Sequence, residues 1–208
     1  MKNLCFYFEI HQPMRLKRYR FFDIEQDHYY YDDFQNEERI RLLAEQSFLP
    51  ANRTLLEIIQ NSNGKFRCAF SFSGVVLEQL EQYAPEVIDS FDELSKTGCV
   101  EFLAETYAHS LSSVYDLHEF EQQVALQTEK ITSLFGKKPT VFRNSELIYS
   151  DEIGEKIYNM GYKTILIDEV SHVLGWKSPN FVYSHPTLPK LKLLVRNFKL
   201  SDDIAFHF

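Results

Sequence analysis

Residues 140–167 read TVFRNSELIYSDEIGEKIYNMGYKTILI, and the succession of patterns inside them points to the fold class. Positions 140–144 form a short run of β-branched and aromatic residues, the composition of a strand. A polar corner, Asn144-Ser145-Glu146, follows it. A helix is expected over 151–159, ending at Gly161, and a second strand-like run fills 163–167. Strand, helix, strand is the grammar of a parallel βα unit, since a parallel partner needs a crossover connection.

The same grammar extends in both directions. Further strands are expected at 4–9, 66–72, 100–106 and 192–196. A helical pattern covers 36–60 with a break near Pro50, and another covers 117–135, burying Phe120, Val124, Ile131 and Leu134. Asp116 with Glu119 resembles a capping box for that second helix, and Gly136 stands where a terminating glycine belongs. Residues 169–189 break the rhythm: their proline, glycine and aromatic content suggests a long excursion or a short hairpin. Internal repeats and low-complexity stretches are absent from the sequence.

Six or seven strands in 208 residues fall short of a full eight-stranded barrel of about 250 residues. The expectation is an α/β fold, an incomplete or seven-stranded (β/α)7 barrel of parallel strands with outer helices, forming one catalytic domain over 1–208. The apolar end, Ile204-Ala205-Phe206-His207-Phe208, is read as a truncation point.

Lysine and arginine total 22 against 30 acidic residues, a balance of −8 that repels phosphate backbones and anionic lipid. Nucleic acid and membrane are therefore not expected partners, and a neutral substrate suits the charge. Cys5, Cys68 and Cys99 lie far apart without zinc-type spacing, and are read as buried, reduced thiols. The apolar run at 3–10 is too short for a signal core, and no run of about 20 apolar residues exists, so a soluble cytoplasmic protein is expected. Nothing indicates the oligomeric state.

In parallel βα folds chemistry collects where strands end and loops begin. Polar residues gather at those points in this chain: His11-Gln12-Pro13, then Ser73-Gly74 with Glu78, then Glu105 and His109, then Arg143-Asn144-Ser145-Glu146, and finally Arg196-Asn197 with Ser201-Asp202-Asp203. Each has a plainer reading. A histidine at a strand end is often a structural hydrogen-bonder, Glu78 sits in a helical pattern as a solvated residue would, and Glu105 can simply pair with an arginine. Tyr29-Tyr30-Tyr31 can stack on sugar or pack locally, and so can Trp176, the single tryptophan.

These clusters, in this order, resemble glycoside hydrolase family 57. The carriers are His11-Gln12-Pro13, Ser73 to Glu78 (SGVVLE), Phe142 to Tyr149 (FRNSELIY) and Arg196 to Phe206 (RNFKLSDDIAF), which together span nearly the whole chain. The resemblance implies a (β/α)7 barrel, an α-glucan or maltooligosaccharide substrate, an α-amylase-like activity, no metal or other cofactor, and retention of anomeric configuration. It also implies Glu146 as nucleophile and a proton donor in the last motif. Asp202 and Asp203 are both candidates there, and Asp202 keeps the family's spacing to Phe206. Members of the family continue into a helical region that closes over the cleft, so this chain alone is expected to be inactive or incomplete.

The chemistry of the residues agrees. Retaining hydrolysis needs two carboxyl groups about 5 to 5.5 Å apart, one attacking the anomeric carbon and one protonating the leaving oxygen. Glu146 and Asp202 are the pair expected. Arg143, if turned the same way, favours an ionised Glu146. His11, Glu78, His109, Trp176 and Asp203 complete the expected substrate-binding set. Three other assignments compete with this one. A polysaccharide deacetylase needs paired aspartates and histidines that Ser71-Phe72-Ser73-Gly74 does not offer, and a zinc mannosidase needs a His-x-Asp where Gln12-Pro13 stands. The third is a glucan-binding relic without activity.

Overall fold

The computed structural model describes residues 3–170 and 174–207; Phe208 of the apolar end and 171–173 of the excursion lie outside the described residues. The chain divides into two compact units, Met1–Glu101 with Ser133–Gly136, and Phe102–Thr132 with Lys137–Phe208.

In the first unit, β1 (Phe6–Ile10) and β2 (Cys68–Phe72) pair in parallel, from Phe6 opposite Cys68 to Ile10 opposite Phe72. The sheet order is β1-β2-β3, with the division between units falling inside β3 (Val100–Leu103). Most of β2 is buried, including Ser71, as expected of a parallel strand covered on both faces. Its helices are α1 (Asp33–Leu43), α2 (Leu49–Asn61), α3 (Gly74–Tyr83) and α4 (Pro85–Lys96). Phe91 of α4 stands edge-on to Phe70 and Phe72, at 5.1 and 4.8 Å between ring centroids.

The α-helical run is interrupted near Pro50, as expected, by a π-type turn over Ala44–Phe48 that joins α1 to α2. Pro50 sits in the first turn of α2, where its missing N–H is cheap. One expectation is corrected. Cys5 is exposed, while Cys68 and Cys99 are buried and all three are free thiols. Burial pushes the Cys68 thiol up to about 11, so it stays protonated.

In the second unit, β4 (Val141–Arg143), β5 (Thr164–Ile167) and β7 (Lys192–Val195) run parallel, in the order β4-β5-β7-β6. Ala104, just past β3, bridges to Phe142 of β4 in the parallel sense. The helices are α5 (Ser112–Tyr115), α6 (Leu117–Phe135), α7 (Asp151–Asn159) and α8 (Phe198–Phe206). Asp116 caps α6 by accepting from the amides of His118 and Glu119, whereas the Glu119 carboxylate accepts from Gln123 instead of closing a box. Phe120, Val124 and Ile131 are fully buried as the periodicity requires, and Leu134 is half-buried.

The all-parallel barrel expectation is met only in part. Seven strands occur among the described residues, but in sheets of three and four, and β6 (Val182–Ser184) is antiparallel to β7. The connection over 185–191 is too short for a crossover, so the excursion turns back as a hairpin. Among the described residues no helix is long and apolar enough to cross a membrane.

Phe142 anchors the core of this unit. Its ring is fully buried, 5.8 Å from that of Phe120 and 5.6 Å from that of Tyr162. Phe142→Ala is expected to cost about 3–5 kcal/mol, read as a fall in the denaturant midpoint of unfolding. A loss under about 1 kcal/mol would show that the site collapses around the cavity instead.

Candidate active site

The backbone bridge at Ala104 and Phe142 places the loop after β3 beside the turn after β4. The amide of Ala104 donates to Val141 O at 2.9 Å, and that of Arg143 to Ala104 O at 2.8 Å. Buried hydroxyls and an amide then stitch the two segments together. Thr106 Oγ1 meets Ser145 Oγ at 2.7 Å, and Asn144 Nδ2 donates to Ser113 Oγ and to Ile148 O, each at 2.9 Å. Gln127, a polar residue on the buried face of α6, holds the loop's start: its Nε2 donates to Leu103 O and its Oε1 accepts from the Glu105 amide.

Glu146 lies in a one-turn 3-10 segment, Ser145–Leu147, capped by Asn144. Both Glu146 and Leu147 have left-handed backbones, with φ of 54° and 55°. A non-glycine residue there is strained by roughly 1–2 kcal/mol, and such strain concentrates at functional sites. The turn buries Leu147 and sends Glu146 outward, leaving its side chain 71% exposed. His109, itself at φ 53°, places Nε2 3.3 Å from Glu146 Oε1. Its Nδ1 lies 4.0 Å from Oε1 of Glu105.

Arg143, expected beside Glu146, is buried, and its Nη1 donates to Glu105 Oε2 at 3.1 Å. A buried charge without a counter-ion is strongly unfavourable, and the equally buried Glu105 supplies one. Glu105 thus takes the plainer of its readings, a pairing with an arginine, and its spacing of four residues from His109 also brings it to 4.0 Å from that ring.

The last motif is helical in structure. Asn197 caps α8 by accepting from the Leu200 amide, and Arg196 Nε donates to Asp168 Oδ1 at 3.0 Å. On a helix, neighbouring residues point about 100° apart, so Asp202 and Asp203 cannot share a direction. Asp202 is half-buried; Asp203 is exposed, 3.9 Å from His207. Of the remaining expected residues, His11 bonds Ser73 Oγ through Nδ1 at 2.8 Å, and Glu78 is exposed on α3. Trp176 is 94% exposed in the segment before β6. Tyr149, at the end of the Glu146 segment, donates to Asp151, and burial raises its hydroxyl far above the usual range. Among the described residues no group of three or more histidine, cysteine, aspartate or glutamate side chains is placed to hold a metal ion.

Residues 5–208 match the family model of Glycosyl hydrolase family 57. The chain belongs to glycosyl hydrolase family 57. A curated relative from Methanocaldococcus jannaschii, whose name is a provisional α-amylase assignment, is 37% identical over 211 residues. The match covers 99% of this family 57 chain and 44% of the relative, so the chain spans less than half of that protein's length. Among solved structures, a 4-α-glucanotransferase from Thermococcus litoralis is similar at a TM-score of 0.71 and 15% identity, over 97% of this chain and 28% of that one. A family 57 branching enzyme from Thermococcus kodakaraensis is similar at 0.66 and 13% identity, over 98% and 49%. At such identities the likeness shows a shared fold.

Proposed function

We propose that this family 57 protein is a retaining glycosidase acting on α-glucans, cleaving α-1,4 linkages with Glu146 as nucleophile and Asp202 as acid and base. The observation that carries the proposal is the strained turn that presents Glu146 to solvent beyond β4. Asp202 lies in the second turn of α8, which follows β7. β4 and β7 are parallel and separated by β5, so their carboxyl ends share one edge about 10 Å apart. From there a glutamate on a turn and an aspartate on a helix are within reach of the spacing of about 5.5 Å that retention needs.

In the first step a Glu146 oxygen bonds to the anomeric carbon as the glycosidic C–O bond breaks. The leaving oxygen keeps that electron pair and takes the proton of Asp202. In the second, water gives a proton to Asp202 and attacks the same carbon, and the ester bond breaks to restore the Glu146 carboxylate. If a sugar hydroxyl replaces water, the outcome is glucan transfer, the activity in the name of the Thermococcus litoralis neighbour. His11, Glu78, His109, Trp176 and Asp203 are proposed to bind glucan, in a seven-stranded barrel and a cytoplasmic protein.

The test is product analysis by proton NMR during incubation with maltooligosaccharides, with and without a chelator. The α-anomer is expected to appear first, at a rate the chelator leaves unchanged. First appearance of the β-anomer, or loss of activity with chelator, overturns the mechanism; tight glucan binding without new reducing ends favours a non-catalytic binding role.

A further inference from the structure

Glu105 is wholly buried, so it cannot touch a substrate, yet it is placed one side chain away from Glu146. If it served the fold alone, the ion pair with Arg143 would suffice. Oε2 accepts from Arg143, Oε1 lies 4.0 Å from Nδ1 of His109, and Nε2 of the same ring lies 3.3 Å from Glu146 Oε1. The turn that carries the ring is tied to the Glu146 turn. The His109 amide donates to Thr106 O at 3.2 Å, the Thr106 hydroxyl accepts from the Ser110 amide at 2.9 Å, and that hydroxyl also meets Ser145 beside Glu146.

An imidazole with one proton can donate toward only one of two flanking carboxylates, and its bare nitrogen repels the other. A ring with two protons suits both. Glu105 and Glu146 flank His109, and the Arg143 cation pairs with Glu105. Building on the proposed role of Glu146 as nucleophile, we propose that Glu105 is a positioning residue, which acts through His109 by keeping its ring doubly protonated and its Nε2–H directed at a Glu146 oxygen. That hydrogen bond holds an otherwise exposed carboxylate in one orientation for attack. It persists on the carbonyl oxygen of the glycosyl ester. When water attacks the anomeric carbon and the ester electron pair returns to Glu146, the developing charge meets a donor already in place.

The experiment compares the unmodified full chain with Glu105→Gln, His109→Gln and the double variant on a maltooligosaccharide. Glutamine keeps an acceptor for Arg143 and removes the charge. Glu105→Gln is expected to lower kcat about 10- to 100-fold, the usual cost of losing a supporting partner behind a reacting group, with KM changed less than about threefold. The double variant should be no slower than His109→Gln alone, because the effect passes through that ring. Independent, multiplying losses overturn the proposal, and so does a change confined to the unfolding temperature. A measurement on the unmodified protein guards against a variant that fails to fold: ring 15N shifts at neutral pH should show two protonated nitrogens on His109, and a single one overturns the proposal. Glu146→Gly serves as the control for the underlying mechanism. Activity at the parental rate in that variant sinks the nucleophile role itself, whereas an inactive Glu146→Gly beside a fully active Glu105→Gln sinks only the role of Glu105.

Discussion

Glu146→Gly is expected to lower the rate of glucan cleavage by roughly ten-thousand-fold or more, equivalent to about 5.5 kcal/mol of lost transition-state stabilisation. No other carboxylate on the 144–148 turn can take over the attack. The same change should leave stability within about 1 kcal/mol of the parent, since glycine adopts the φ of 54° without strain while adding freedom to the unfolded chain. Loss of activity without loss of stability separates a functional turn from a structural one. Azide should then restore turnover of a substrate with an activated leaving group: it fits the space the side chain vacates and attacks with a single inversion, giving the β-glycosyl azide. Azide rescue without inversion, or an active glycine variant, would remove Glu146 from the reaction.

Asp202→Asn is expected to slow maltooligosaccharide cleavage about 100- to 10,000-fold, the usual contribution of a positioned acid. A substrate whose leaving group departs without a proton should be slowed much less in the first step. Asp203→Asn, at a residue proposed to bind glucan and not to donate the proton, should be slowed less on the maltooligosaccharide and by a similar factor on both substrate types; that carboxylate is exposed and lies 3.9 Å from His207. Steady-state rates on both substrate types for the two variants decide the matter. Equal losses, or the reverse order, would transfer the donor role to Asp203.

The α8 segment also shows where reading the chain alone reached its limit. The motif around Asp202 and Asp203 was legible, and so was its place after a strand. The choice between two adjacent carboxylates rested on spacing to Phe206 alone. Helical geometry adds a physical reason, since it forces the two side chains apart and leaves one half-buried. Similarly, the excursion over 169–189 was recognisable from its prolines, its glycine and its aromatic residues, while its antiparallel return as β6 depended on pairing with β7.

The sequence by itself determined the alternation of strands and helices, the order of the four motifs and hence the family, because strand composition, helical period and motif spacing are written within short windows. Only the tertiary structure decided that Arg143 turns toward Glu105, 38 residues away, and that His109 comes to rest between Glu105 and Glu146. Those partners are joined by parallel pairing of the segment after β3 with β4, and by backbone angles that no local propensity favours. Contacts set by register between distant strands exist only once the chain has folded, so the arrangement of Glu105, His109 and Arg143 near the exposed Glu146 carboxylate could not be read from residues in a row.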